Sequence, residues 1–542
     1  MFQRIKFNWS FGHHHKHHFL HLHSLGHHHH KVASAESKNP YFSGVIMYTL
    51  LFIGYFVFVM SWSGTLFVQS SHTTFDPRNI GITITANQAI QPAEPVGTFN
   101  NGLIYQIFPN GVSLTISRAT NWSLTIGRGI GAIFFGWLIT RLNHKYSVLI
   151  ALGLMVAAFP YLLAPYAIQR DANGTITNSS GVYAMFIVFR ILMALGGTTL
   201  ISYTNGVIAT YCKAKAKTFS SLNVFPANLA SIIGSIFLTS STITAAIGLN
   251  WQVFGGVLEI IMGILFVSYS LVGKKIDLTA KKIQLEHDMS QKNLRPKSTN
   301  PMLEVLRKKE VYFFLIGAMF LSYITVEPGT NILANFWVYS PNNSLTDKNL
   351  SWILGGFNIA FLAGVFIGLF TVGRWLRTKY SYNHYTSIMF FFGTLFIAAG
   401  VAVGYDGLDS VHVAFVMILT FIGSAMLFGI NGIFYAMPYR WGYTPSQITA
   451  LIALLFGFSY GGYTILDIIT SAVMDAGISH VNSNYPNEIL PGNGVGAVPA
   501  ISIMFLMPLI GIIAVALIPK EKDAIKFSVK DFYQRYITKT IQ

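Results

Sequence analysis

Twelve apolar stretches, each long enough to cross a bilayer, constrain this chain more than any other feature of its sequence. A helix needs about 20 mostly apolar residues to span the hydrocarbon core of a membrane. Six stretches precede a charged segment and six follow it. Their approximate bounds are 44–70, 119–139, 147–167, 182–210, 219–240, 251–273, 311–338, 350–373, 385–404, 411–436, 447–474 and 497–518. This pattern predicts an all-α polytopic membrane protein.

The chain carries too few charges to cover a water-facing surface of its size. Charged residues make up 10% of its 542 residues, whereas soluble globular proteins have about 25%. The formal net charge of +16 is spread over short connections and tails rather than gathered in one patch. That distribution disfavours a nucleic-acid partner and favours contact with anionic lipid. We therefore expect the lipid bilayer to cover most of the surface.

Basic residues alternate between the two sides of the predicted membrane. With the N-terminus inside, the inside connections carry clusters such as Lys213, Lys215 and Lys217. The outside connections carry few basic residues, among them Arg118. Lysine and arginine are retained on the cytoplasmic side, and an error of one helix would invert half of this pattern. The sequence thus predicts twelve transmembrane helices with both termini cytoplasmic.

This topology divides the chain into five parts. They are a His-rich cytoplasmic tail at 1–42, an N-terminal six-helix bundle at 43–273 with an extracellular loop at 71–118, a cytoplasmic linker at 274–310, a C-terminal six-helix bundle at 311–519 and a basic cytoplasmic tail at 520–542. The extracellular loop is rich in Thr, Asn, Pro and Gly, which leaves open whether it forms an ordered cap or an irregular excursion.

The N-terminal tail holds eleven of the 17 histidines, between His13 and His30. Imidazole clusters bind transition metals without a folded site. The tract includes no cysteine and no matching acids, so we predict no specific metal site and no cofactor. A low-complexity tail is the simpler interpretation, and regulation by a metal is the alternative.

Two short sequences recur at matching positions in the two halves. The segment 134–147, after the second span, recurs as 366–381 after the eighth. The segment 205–207 in span four recurs as 431–433 in span ten. An even number of spans separates the copies, so the repeats have the same orientation in the membrane. Parallel repeats of this kind are typical of transporters built from two similar halves.

The run Gly136-Trp-Leu-Ile-Thr-Arg141-Leu-Asn-His-Lys145 resembles the cytoplasmic signature between helices two and three of the major facilitator superfamily. That signature reads Gly-x-Leu-small-Asp-Arg-x-Gly-Arg-Lys or close to it. The chain departs from it where Thr140 replaces the acid, which weakens the charge relay that the family uses to close its cytoplasmic gate. The resemblance implies that Gly136, Arg141, Lys145 and the repeat's Arg374 form the corresponding gate motif.

The whole chain also resembles the divergent facilitator proteins of mycoplasmas, which are likened to hexose-phosphate transporters. The resemblance implies two six-helix bundles of the major facilitator type. It further implies that helices one, four, seven and ten line a central cavity between the bundles.

Two arginines lie inside predicted spans, where a charge costs about 2.5–3.5 kcal/mol on insertion scales and invites a functional explanation. Arg128 lies in the outer half of span two between Gly127 and Gly129, and Arg190 lies in the outer half of span four. At comparable depth on neighbouring helices they can form a fork for a phosphate or a carboxylate. The alternative is that each pairs with a buried acid.

Span seven contains an acid at a predicted break. Pro and Gly follow Glu327 directly, and proline removes a helix donor. Broken helices at membrane depth usually line a cavity. Asn331 and Asn335, one turn apart past the break, can bind a hydroxylated solute. Glu327 is either a proton carrier or the fixed partner of an arginine such as Arg190.

Three further polar residues are candidates. For Glu259 in span six, an ion pair is the favoured interpretation and proton coupling is the alternative. Asp467 in span eleven has the same two roles, or faces water near the outer end of its helix. Asn431 in span ten is a candidate solute contact, although hydrogen bonding between helices explains it equally well.

These features predict a secondary active transporter, a symporter or an antiporter, that moves a small polar or anionic solute across the cell membrane by alternating access. A sugar phosphate or another organic anion fits the arginines. Nothing resembles a nucleotide-binding loop, and we expect a monomer that is not an enzyme. The alternatives are a non-transporting receptor or scaffold with a transporter fold and a membrane enzyme acting on a lipid-linked substrate, for which the acids are too sparse.

Overall fold

Apolar helices make up nearly all of the described chain in the computed structural model. The structure describes residues 40–63, 103–108, 113–172, 176–212, scattered positions within 219–233, 251–276, 300–329, 332–338, 347–369, 382–407, 409–476, 480–481, 489–490 and 495–519.

The helices of the first half are α1 (Pro40–Ser63), α2 (Leu103–Ile107), α3 (Leu114–Ser117), α4 (Ala119–Leu138), α5 (His144–Ala157), α6 (Ser179–Gly197), α7 (Thr199–Tyr211) and α8 (Trp251–Val272). A 3-10 helix at Phe159–Ala167 prolongs α5. Those of the second half are α9 (Pro301–Leu306), α10 (Lys309–Val326), α11 (Ile332–Val338), α12 (Asp347–Ile367), α13 (Tyr382–Asp406), α14 (Ser410–Arg440), α15 (Pro445–Asp475), α16 (Ala497–Leu506) and α17 (Pro508–Ala516). Between α15 and α16, β1 (His480–Val481) pairs antiparallel with β2 (Ile489–Leu490).

Nine helices within the described residues are long and apolar enough to cross a membrane, and each coincides with a predicted span. The second and eighth predicted spans correspond to α4 and α12. Polar residues such as Arg128 lower the mean hydropathy of α4, which is why it is not among the nine. The fifth predicted span, 219–240, lies mostly outside the described residues. The fold is therefore that of an all-α polytopic membrane protein, and the count of twelve stays a prediction.

The outer surface of α8 shows why the chain needs lipid around it. Val257, Ile260 and Ile264 recur at helical spacing on one face and are between 51% and 66% exposed. A stripe of large aliphatic side chains directed away from the protein is unfavourable in water and favourable in hydrocarbon. The position of α8 at the periphery thus agrees with a helix that faces the bilayer.

The predicted break in span seven is confirmed. α10 ends at Val326, a 3-10 turn covers Glu327–Gly329, and helix resumes at Ile332 in α11. Pro328 cannot donate to the helix ladder, which explains why the regular helix ends here. The side chain of Glu327 is fully buried at this break.

The last part of the predicted extracellular loop is not an irregular excursion. Residues 103–107 and 114–117 form α2 and α3, and the side chains of Leu103, Ile104 and Leu114 are fully buried. Ser113 caps α3 by accepting a hydrogen bond from the backbone N–H of Ile116 at 3.3 Å. The earlier part of the loop lies outside the described residues. For 103–117, burial of apolar side chains favours the ordered cap.

A carboxylate of the second half holds this cap in place. Asp475, at the end of α15, accepts hydrogen bonds from the backbone N–H groups of Leu114 and Thr115 at 2.7 and 3.0 Å, and from the Thr115 hydroxyl at 2.5 Å. On α6, the Tyr183 hydroxyl donates to the Ile116 carbonyl at 2.6 Å. The cap therefore bridges the two halves.

Replacing Asp475 by Asn should loosen the cap. The amide keeps one acceptor but turns an NH₂ group towards backbone donors, at a cost of about 1–3 kcal/mol for the bonds lost. Hydrogen exchange should speed up roughly tenfold or more across 103–117, because 1.4 kcal/mol corresponds to about a factor of ten. Exchange measured by mass spectrometry checks this, with Asp171→Asn at an exposed loop position as control. Unchanged exchange in the cap would contradict the role of Asp475.

The main contact between the halves runs along α4 and α15 and contains little side-chain bulk at one end. A Cβ on Gly129 would lie 3.2 Å from the Gly457 carbonyl oxygen, and one on Gly136 would lie 2.5 Å from the Ala453 Cβ. These glycines let the two helices approach closely, as small residues do between membrane helices. We call this contact the α4–α15 seam.

Candidate functional site

A buried cluster of charges lies at the end of the α4–α15 seam that the predicted topology places outside. Arg118, at the junction of α3 and α4, donates from Nη2 to Glu327 Oε1 at 2.7 Å, and the same Nη2 lies 2.5 Å from Asp467 Oδ1 in an ion pair. Its Nε also donates to Asp467 Oδ1, at 2.6 Å. Arg118 is 3% exposed, and both acids are fully buried. We call these three residues the outer charge cluster.

Neutral donors complete the cluster. The Asn121 amide donates to Asp467 Oδ2 at 2.9 Å, and the Tyr463 hydroxyl donates to Glu327 Oε2 at 2.8 Å. The Asn121 amide also lies 2.9 Å from the Tyr463 hydroxyl. Each of the four carboxylate oxygens thus accepts at least one hydrogen bond, as buried charged groups require. The arrangement joins α4 of the first half to α15 and the break after α10 in the second.

The structure decides between alternatives that the sequence left open for these residues. Arg118, predicted to lie in an outside connection, is buried. Asp467 does not face water. The arginine that pairs with Glu327 is Arg118, not Arg190. One sequence signal pointed to this: positions 118, 121, 125 and 128 are all polar, and their spacing places them on one face of a helix.

The polar face continues along the seam. Thr125 and Thr464 place their hydroxyl oxygens 2.6 Å apart across the two helices. One turn further, Arg128 donates from Nη2 to the hydroxyls of Tyr55, at 2.6 Å, and of Tyr460. The seam is therefore hydrogen-bonded in its outer half and packed through glycines in its inner half.

Arg128 lies in a cage of aromatic side chains from both halves. Its Cζ lies 3.6 Å from the ring centroid of Tyr460 on α15, and 4.6 Å and 5.2 Å from those of Trp62 and Phe58 on α1. Its Nε donates to the Thr198 hydroxyl at 3.1 Å, where α6 meets α7. Cation–π contacts stabilise a guanidinium without neutralising its charge. We call this set the arginine cage.

The charge of Arg128 stands out within the described part of the chain. The side chain is fully buried, and no carboxylate there lies within ion-pair distance of it. Its Nη1 is buried and has no hydrogen-bond partner among the described residues. A buried cation is normally paired. This nitrogen can therefore bind an anionic or hydroxylated ligand.

Arg190 has different surroundings and shares no described hydrogen-bond partner with Arg128. Its Nη1 donates to the Ser61 carbonyl at 3.0 Å, near the end of α1. It also lies within electrostatic reach of Glu259 on α8. The Glu259 carboxylate oxygens are buried without a hydrogen-bond partner among the described residues. No shared geometry among the described residues links the two guanidinium groups, so the two-arginine fork and a solute contact by Arg190 both stay predictions.

The remaining predicted solute contacts are only partly visible. Asn331 lies outside the described residues, and Asn335 lies in α11 with its side chain outside them. Asn431 is half-buried in α14. Its repeat partner Asn205 is fully buried and accepts a hydrogen bond from the Tyr439 hydroxyl of α14 at 3.0 Å. Asn205 therefore joins the two halves.

The predicted gate motif lies at the other end of the seam. Gly136 faces Ala453 of α15. Arg141 is exposed, and its Cζ lies 5.7 Å from the ring centroid of Trp137. Lys145 is half-buried, and Arg374 lies outside the described residues.

Among the described residues, no three side chains of His, Cys, Asp or Glu are grouped so that they could hold a metal ion.

His144 explains one departure from the family signature. It is fully buried, where the signature has a basic residue. One ring nitrogen lies 2.9 Å from the Tyr203 carbonyl oxygen, and the other lies 3.1 Å from the Tyr269 hydroxyl. A neutral imidazole can make both hydrogen bonds, one as donor and one as acceptor. His144 therefore fastens α5 to α7 and α8.

Curated relatives of similar length come from mycoplasmas. A major facilitator superfamily transporter of Mycoplasma pneumoniae is 23% identical over 515 residues, which cover 80% of this chain and 86% of that protein. One of Mycoplasma genitalium is 23% identical, covering 86% of this chain and 89% of the other. An uncharacterized protein of Mesomycoplasma hyopneumoniae is 25% identical over 81% of this chain and 84% of its own length.

Solved structures show the same fold at low identity. The proton:xylose symporter XylE aligns with 89% of this chain and 97% of its own, with a TM-score of 0.55 and 12% identity. A bacterial homologue of the iron transporter ferroportin, in an outward-facing state, aligns with 86% of this chain and 98% of its own, with a TM-score of 0.54 and 11% identity. The family model described as Mycoplasma MFS transporter matches residues 186–475, more than half of the chain. Together with its membrane helices, this match shows that the chain belongs to the Mycoplasma MFS transporter family and is a secondary transporter of the major facilitator fold.

Proposed function

We propose that the protein carries a small anionic, hydroxylated solute across the cell membrane by alternating access, and that Arg128 binds its anionic group. The observation that supports this most is the buried Nη1 of Arg128, which has no partner among the described residues. An unpaired cation in this position costs stability unless a ligand compensates for it. Selection for binding is a physical reason to keep it there.

The chemistry of the arginine cage favours an anion that carries a sugar-like ring. A guanidinium binds carboxylate and phosphate oxygens through charge-assisted hydrogen bonds. The hydroxyls of Tyr55, Tyr460 and Thr198 border the same guanidinium and can bind solute hydroxyls. Trp62 and Phe58 offer apolar faces to the ring carbons. A sugar phosphate or a sugar acid combines all three features.

The location of the cage suits alternating access. Arg128 and Thr198 belong to the first half, whereas Tyr460 belongs to the second, so a solute bound at Nη1 contacts the boundary between them. Rocking of the halves about this point would expose the solute first to one side and then to the other. A gradient of ions or of a second solute drives such a cycle.

The substrates of the structural relatives do not decide the solute. XylE is named for xylose, and the ferroportin homologue for iron, although both share the fold with this chain. Unrelated functions are grafted on one fold through different sites. The proposal therefore depends on the residues of the cage and not on the relatives.

The first test is thermal stabilisation of the purified protein by a panel of sugars, sugar phosphates, amino acids and organic anions. A ligand that binds only the folded state raises the free energy of unfolding by about 2.7 kcal/mol when its concentration is one hundred times its Kd. We expect a rise in melting temperature with an anionic sugar derivative. Arg128→Gln should abolish that rise, whereas Arg307→Gln, an exposed arginine of the same charge, should retain it.

Other results of the panel would redirect the proposal. Stabilisation by neutral solutes that persists in Arg128→Gln would move the site to Asn331 and Asn335. A ligand-induced rise in melting temperature that is lost in both Arg128→Gln and Arg190→Gln would support the two-arginine fork. No stabilisation by any compound would contradict the anionic-solute proposal and favour the receptor or scaffold alternative.

A further inference from the structure

In the outer charge cluster, two acids contact the same nitrogen atom of Arg118. Arg118 Nη2 lies 2.7 Å from Glu327 Oε1 and 2.5 Å from Asp467 Oδ1. The two carboxylate oxygens therefore lie within about 5 Å of each other, so each negative charge disfavours the other, and Arg118 supplies one positive charge to offset two. Because both side chains are fully buried, water does not screen this repulsion.

We propose that Glu327 and Asp467 share one proton whenever the outer end of the α4–α15 seam is closed, so that outward opening releases that proton. The proton is the ligand of this site, and the two carboxylates are its acceptors. The inference rests on the proposed alternating access, because it requires the seam to open during transport.

One proton balances the charge of the cluster. Two carboxylates and one guanidinium carry a net charge of −1, and one proton brings the total to zero. In the part of the chain that the structure describes, the other titratable side chains within electrostatic reach are Tyr323 of α10 and Tyr463 of α15. Phenols stay neutral until about pH 10, so neither changes this count at physiological pH. Asn121, the neighbour on α4, is neutral at every pH.

Opening the seam removes the buried environment that favours the shared proton. Arg118 and Asn121 belong to the first half, whereas Glu327, Tyr463 and Asp467 belong to the second. Separation of the halves lets water reach both carboxylates. A hydrated carboxyl group titrates near pH 4, so at neutral pH the opened site loses its proton. Raising the pH must therefore favour the open seam, by up to about tenfold per pH unit for one proton.

A single cysteine placed in the seam can report its opening. The chain has one cysteine, so Cys212→Ala provides a cysteine-free background. Thr125 is fully buried beside Thr464, and Thr125→Cys places a thiol in the closed seam. The labelling rate by a membrane-impermeant thiol reagent then measures the open fraction. The experiment uses the full chain reconstituted in lipid vesicles, and it needs no transported solute.

We expect labelling to rise by about ten- to a hundredfold from pH 6 to pH 8. Glu327→Gln and Asp467→Asn each remove one acid and imitate the protonated pair, so labelling in each should depend on pH only through the thiol. At each pH, the labelling rate of Thr125→Cys with both acids intact is divided by the rate of the same protein carrying Glu327→Gln or Asp467→Asn. This ratio, the normalised rate, removes the reactivity of the thiol itself. If Asp467→Asn fails to fold, Glu327→Gln alone decides the comparison.

The outcomes separate this inference from the proposed function. A normalised rate that is independent of pH, or that rises as the pH falls, overturns the shared proton even if the ligand panel finds a solute. A rate that rises with pH supports it even if Arg128 proves not to bind the solute. Labelling that is absent at every pH in all variants overturns it as well, because the seam then does not open.

Discussion

Replacing Arg118 by Gln is expected to lower the free energy of unfolding by about 3–5 kcal/mol, because it leaves the negative charge of the buried Glu327–Asp467 pair without its cation. Glu327 and Asp467 are both fully buried, so neither can regain water without opening the seam. Melting temperature in detergent at pH 8, measured beside Arg170→Gln, an exposed arginine on the same predicted side, checks this. The loss should shrink as the pH falls, since protons then neutralise the carboxylates.

Neutralising the partners should rescue the variant. In Arg118→Gln combined with Glu327→Gln and Asp467→Asn, no buried charge is left unpaired, and neutral groups of similar shape can hydrogen-bond with one another. Removing all partners of a buried ion pair is often nearly neutral, whereas removing one is not. We expect the triple variant to regain most of the lost stability. A triple variant as unstable as Arg118→Gln would show that the cost is steric and not electrostatic.

A disulfide across the seam is expected to stop transport almost completely. The hydroxyl oxygens of Thr125 and Thr464 are 2.6 Å apart, so cysteines at both positions bring their sulfurs within reach of a bond of about 2.05 Å. The bond would tie α4 to α15 and hold the outer end of the seam closed. Alternating access cannot proceed if one side stays shut.

The measurement is uptake into vesicles of the solute identified by the ligand panel. In the Cys212→Ala background, Thr125→Cys/Thr464→Cys should lose at least nine-tenths of its uptake on oxidation and recover it with a reductant. Each single cysteine variant is the matched control, since neither can form the bond. Intact mass confirms the crosslink independently of transport. Full uptake by the crosslinked protein would contradict movement at this seam.

Properties that depend on local sequence could be predicted without the structure. A membrane-spanning helix satisfies its backbone hydrogen bonds internally and needs only apolar side chains outside, so hydropathy locates it. Nine predicted spans coincide with apolar helices of sufficient length. The break after Glu327 was equally predictable, because the missing N–H of proline acts on its own helix whatever lies around it.

The partners of the buried charges could not be predicted in this way. Arg118 lies 209 residues from Glu327 and 349 from Asp467 along the chain. Its place just before span two is typical of an exposed loop arginine, and only the tertiary structure shows that it is buried. For Asp467 the sequence left an ion pair, proton coupling and contact with water open, because position along a helix indicates depth but not which side is covered.

Sequence alone therefore determined that the chain forms a bundle of membrane helices, where most of them begin and end, and that charges such as Arg128 and Glu327 lie inside it. Tertiary structure alone decided which charges are paired. It paired Arg118 with two acids and surrounded Arg128 with aromatic rings. The physical reason is that hydropathy is a property of each segment, whereas an ion pair depends on how distant segments pack.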